Sequence, residues 1–70
     1  MMTTKTNFPT LIVHIPKSLK GEQVITERYR DGSGYKLTLL DSRNALASAA
    51  TRKELEEFAI SQGASRIHFI

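Results

Sequence analysis

The sequence predicts an α+β fold: a small antiparallel sheet of four to five strands with one helix, residues 52–62, packed on one face. Three observations predict it. Short runs rich in β-branched and aromatic residues recur between turn signals, the pattern of strands. One stretch, Thr51 to Gly63, carries both a helix start and a helix stop. Seventy residues with 40% apolar content form one core only, so the elements belong to a single domain, residues 10–70.

Thr10 to Ile15 is β-branched and bounded by Pro9 and Pro16, a short strand with Leu11, Val13 and Ile15 on one face and Ile12 and His14 on the other. Lys17 to Glu22 reads as a polar connection turning at Gly21. Gln23–Arg30 and Tyr35–Asp41 flank Asp31-Gly32-Ser33-Gly34 and form a hairpin, residues 23–41. Its register decides which side chains face the core. One parity sets Arg28 and Thr26 beside Leu37 and Leu39 and buries a guanidinium, which is costly without partners. The other sets Ile25 and Tyr29 there, buries Tyr35 as well, and sends Arg28, Arg30, Lys36, Thr26 and Thr38 to the opposite face. The second is expected, through an odd loop with a left-handed glycine.

Asp41, Ser42 and Asn44 signal another turn, and Ala45 to Ala49 follow as a fourth strand. The rival reading is a helix starting near Ser42 and running through the alanines of 45–50, since alanine is the best helix former. Thr51-Arg-Lys-Glu54 matches a capping box, with Leu55, Phe58 and Ala59 at helical spacing behind it and Gly63 as the left-handed stop. Lys53, Glu56 and Glu57 are expected in water. Arg66 to Ile70 is the last strand, with Ile67 and Phe69 inward and Arg66 and His68 opposite.

Motifs of chemistry are sparse. His14 and His68 lie in apolar strand contexts and lack the further ligands a zinc site needs, so no metal is expected. Ser33 stands between glycines, yet the turn joins two strands, whereas a nucleophile elbow joins strand to helix; the same residues lack the length of a phosphate loop. Glu54, Glu56 and Glu57 suit the first turns of a helix, and Asp31 and Asp41 belong to turns. The expectation is a protein that is not an enzyme and uses no cofactor. The chain has no cysteine, so no disulfide supplements the core and a homodimer is compatible with so small a domain.

The start, Met1 to Asn7, lacks the apolar run of a signal peptide, and Leu11–Ile15 is too short to span a bilayer. A cytoplasmic protein with no membrane partner is expected, with residues 1–9 as a flexible tail and either Met1 or Met2 as its start. Net charge is +3, and residues 1–36 carry the excess of bases. In size and layout over the whole chain, the protein resembles the small proteins with which phages and mobile elements block host machinery, anti-CRISPR inhibitors among them. That resemblance implies an inhibitor that occupies a site on a protein or ribonucleoprotein complex. The alternative is nucleic-acid binding by the basic face of the hairpin, similar in layout to the arm-binding domains of some phage integrases. Both place the contact on Arg28, Arg30, Lys36, Thr26 and Thr38.

Overall fold

The computed structural model describes residues 10–70; the tail expected over residues 1–9 lies outside the described residues. The elements run β1 (Ile12–Val13), β2 (Gln23–Arg28), β3 (Tyr35–Leu39), β4 (Ala45–Ala49), α1 (Arg52–Ser61) and β5 (Arg66–Phe69). The strands form one five-stranded sheet in the order β1-β4-β3-β2-β5. Every pairing is antiparallel except β2 with β5, which is parallel. β4 and β5 therefore run the same way, and α1 carries the chain between them across β3 and β2, packing on β2, β3 and β4.

The helix forms where the sequence signals it. Thr51 is extended at φ −127°, ψ 152°, and its hydroxyl accepts the Glu54 N–H at 3.3 Å. The stop is a Schellman turn. Gly63 at φ 90° donates to Ile60 O at 3.0 Å, and Ala64 donates to Ala59 O at 3.0 Å. Leu55 and Ala59 are buried by this helix against Val24, Leu37, Leu46, Ala47 and Ala49, with Phe58, Tyr35, Leu39 and Ile67 packed around them.

The strand reading of 45–49 holds over its helical rival, because β4 carries an irregularity that serves the core. Leu37 pairs with Ala47 but Thr38 pairs with Ala45, so Leu46 is an extra residue and a bulge. The bulge lets the consecutive residues Leu46 and Ala47 both enter the core. β1 is shorter than the expected Thr10–Ile15. The N–H groups of His14 and Ile15 converge on one carbonyl, Leu46 O, at 2.8 and 3.1 Å, which no regular ladder accommodates.

Two further expectations are corrected. The connection over residues 17–22 is polar in composition, yet Leu19 within it is fully buried. A turn, Glu22 N–H to Leu19 O at 2.9 Å, together with Gly21 N–H to Gly63 O at 3.0 Å, ties this loop to the end of the helix and drives Leu19 under it. The hairpin takes the parity that was rejected: Thr26 lies opposite Leu37 and Arg28 opposite Tyr35. The loop is even. Tyr29 donates to Gly34 O at 2.8 Å, extending the pairing and leaving four residues, 30–33, with Gly32 at φ 78°.

The penalty attached to this register is smaller than a buried guanidinium. Arg28 falls at the strand end and stays exposed, so its charge remains in water. What is buried is the hydroxyl of Thr26, whose Oγ1 has no hydrogen-bond partner, a cost of about 1–3 kcal/mol. Close packing of the glycine helps to fix the register, since a Cβ on Gly34 would stand 2.5 Å from Ala49 O.

Candidate interaction face

The helix covers one side of the sheet, and among the described residues no other helix or strand covers the second, bare side. The pairings set out the bare side row by row. Ile12, Ser48, Lys36 and Glu27 lie abreast across β1, β4, β3 and β2. Ala45, Thr38, Ile25 and His68 form the next row across β4, β3, β2 and β5.

Polar groups join the first row into a network. Ser48 Oγ lies 2.8 Å from His14 Nε2 and 2.6 Å from the Tyr29 hydroxyl. The Lys36 ammonium stands 5.9 Å from the centre of the Tyr29 ring, a cation–π approach on the same side. His68 Nε2 meets Gln23 Oε1 at 2.9 Å. The two histidines thus belong to opposite edges of the sheet, and neither is near the other. Among the described residues no group of three His, Cys, Asp or Glu gathers as a metal site.

Beside this network the bare face sinks into a half-enclosed hollow of about 470 Å³. Ile25, Leu40 and Ile70 supply apolar lining, and Glu27, Lys36, Asp41 and Arg43 charge. Thr38, buried, lines it as well, and the loop after β3 forms one wall. Both signs of charge meet apolar surface there, within the size range of small recognition pockets.

The residues expected at the contact do not share one face. Lys36 and Thr38 stand on the bare side, at the hollow. Arg28 points to the helix side with Tyr35, and Arg30 is exposed in the turn. Thr26 is fully buried under the helix and touches no partner while the fold is intact. The tyrosines, expected together in the core, are also split. Tyr29 is on the bare face, and Tyr35 is on the helix side, where the Arg52 guanidinium packs 5.2 Å from its ring centre and 5.5 Å from that of Phe69. The single parity change of the hairpin produces all these reversals.

Sequence reasoning missed Ser48, which is unremarkable among alanines; only its place in a strand, every second residue outward, marks it. It also missed Thr10. Thr10 donates its backbone N–H to Glu54 Oε1 at 2.9 Å, its hydroxyl lies 2.7 and 2.8 Å from the two carboxylate oxygens, and that hydroxyl accepts the Ala50 N–H at 2.8 Å. These hydrogen bonds hold the Glu54 carboxyl below its ordinary value, the Thr10 hydroxyl being the largest cause. The capping box is therefore only half closed, since the carboxylate reaches Thr10 and the Thr51 hydroxyl in place of the cap backbone. Asp31 is likewise held low, chiefly by the Ser33 N–H at 2.9 Å. Its role is to shape the turn.

Compared with protein-family models, with curated proteins and with solved structures, the chain matches none. Among the described residues no helix is long and apolar enough to cross a membrane.

Proposed function

We propose that this protein is a non-enzymatic interaction module that binds a protein or ribonucleoprotein partner through the bare face of its sheet. The observation that carries the reading is the hollow, where Ile25, Lys36 and Thr38 lie among apolar lining and charges of both signs. Such a mixed depression accepts an amphipathic side chain from a partner, with Lys36 and Glu27 fixing its orientation. The Tyr29–Ser48–His14 network extends that face with groups able to donate or accept. Ser48 lies within the ladder, paired across to Ile12 and Lys36, which sets its hydroxyl on the surface offered to a partner. Inhibition of host machinery of phage or mobile-element type is one use of such a module, in keeping with its size and layout.

Affinity capture from the native host, with nuclease treatment, tests the reading. Wild type recovers a stoichiometric complex, and Lys36→Glu or Ile25→Asp loses it while keeping the wild-type circular dichroism spectrum. Recovery of the same proteins by folded variants of the bare face would place the contact elsewhere.

A second reading, nucleic-acid binding, keeps Arg28 and Arg30, which are both exposed near the turn. It no longer draws on Lys36, which stands on the other face.

A further inference from the structure

The two edges of the sheet differ. β1 offers two residues, ends where two N–H groups converge on Leu46 O, and is soon followed by Pro16. Such an edge is blunted against further pairing. β5 is four residues long, regular and unprotected by proline or bulge. The Ile70 N–H donates to Thr26 O at 3.1 Å, and the register Gln23 to Arg66 through Thr26 to Phe69 is unbroken. Alternation along the strand then turns the backbone groups of Arg66 and His68 toward β2. Those of Ile67 and Phe69 face outward.

Two large apolar side chains, Phe69 and Ile70, are exposed at this edge, at 54% and 69%. Their neighbourhood has an open ladder, with Ile67 and Phe69 on the helix side and Ile70 beside Arg66 and His68 on the other, and no covering element among the described residues.

We infer that β5 pairs with β5 of a second copy, antiparallel, about a two-fold axis at His68. The occupant follows from register. A two-fold axis perpendicular to the sheet keeps each face continuous, so only residues of the same parity stand opposite each other. Centring on His68 sets Ile67 opposite Phe69 of the second copy, and Phe69 opposite its Ile67. All four outward N–H and C=O groups of each strand then find partners. Centring on Ile67 instead sets Phe69 opposite Ser65, whose N–H is already given to Glu22 O at 2.8 Å.

Side chains agree with the same centre. Ile67 and Phe69 meet across the axis on the helix side, beside Arg52, while Arg66 meets Ile70 on the bare side. Neither Arg66 faces the other. The His68 rings are drawn toward β2 by Gln23. The product is a continuous ten-stranded sheet, two copies of the five-stranded one, with both helices on one side and both hollows on the other. Small domains gain most from such burial. The pairing shares only Ile70 with the lining of the hollow and leaves Lys36 and Ile25 away from the seam, so the capture experiment with Lys36→Glu or Ile25→Asp and the dimer test fail independently.

Sedimentation velocity of the full chain from about 1 to 300 μM tests the inference by mass action. Wild type shifts from monomer to dimer across this range. Phe69→Pro removes an outward donor and leaves the β2 pairing intact, so it weakens the dimer by about tenfold or more, with folding checked by circular dichroism. Because the chain has no cysteine, His68→Cys gives a second readout: across a non-hydrogen-bonded antiparallel pair, Cβ atoms lie about 4.5–5.5 Å apart, close enough for a disulfide. Mild oxidation of His68→Cys yields a covalent dimer much faster than that of a Lys53→Cys control on the helix. A wild-type monomer throughout the range, or crosslinking no faster than the control, overturns the inference.

Discussion

The carboxylate of Glu54 receives both the backbone N–H and the hydroxyl of Thr10, a residue 44 positions earlier in the chain. This clamp joins the entry to β1 with the first turn of the helix, and it makes stability depend on acid. The folded carboxyl is held below its ordinary value of 4.5, so its contribution is fully present above that pH and is lost as the pH falls through the folded value. Melting temperature measured from pH 7 to pH 2 should decline on the acid side. Thr10→Val should have a lower melting temperature at neutral pH and a shallower acid decline; equal curves for the two proteins would dismiss the clamp.

Gly34 and Gly21 both have positive φ, 152° and 77°, but only Gly34 is crowded. A Cβ at Gly34 meets Ala49 O at 2.5 Å, whereas nothing lies within 4 Å of one at Gly21. Gly34→Ala is expected to cost about 3 kcal/mol or more and Gly21→Ala about 1–2 kcal/mol. Urea unfolding of the two variants checks the order.

Thr26→Val exchanges a buried, unpartnered hydroxyl for a methyl of similar shape. The variant should be more stable by about 1 kcal/mol. A loss of stability in urea unfolding would mean that Thr26 Oγ1 is paired in solution.

Electrophoresis with generic duplex DNA or RNA at about 50 mM salt separates the two functional readings. A module that docks on protein through the bare face gives no retardation. Retardation that fades steeply with added salt and disappears in Arg28→Ala/Arg30→Ala would favour the nucleic-acid reading.

Much of the architecture is legible in the sequence because its signals are local. Thr51 with Glu54, the Leu55–Ala59 stripe and Gly63 define the helix within its own span, and the strands are punctuated by their own turns. What failed was the choice between two parities of one hairpin. That choice weighed the charge of Arg28 as though every residue of β2 lay under the helix, whereas the strand end is open to water. Reversing the parity moved Tyr29 to the bare face, sent Arg28 to the helix side and buried Thr26, so the expected contact surface kept only Lys36 and Thr38. Leu19 and Thr10 escaped for another reason. Each acts through partners distant in sequence, at Gly63 and Glu54, which composition near the residue does not announce.

The parallel seam between β2 and β5 bears on the order of assembly. β2 and β3 meet across a short turn, but β2 meets β5 through residues such as Gln23 and His68, 45 positions apart. Closing so long a loop costs entropy before any contact repays it. The hairpin is therefore expected to form before the seam with β5 closes, with the outer edge of β2 uncovered until then. During that interval Val24 and Ile25 sit on an unprotected margin, and an incomplete chain lacking β5 would keep that margin permanently as a template for aggregation.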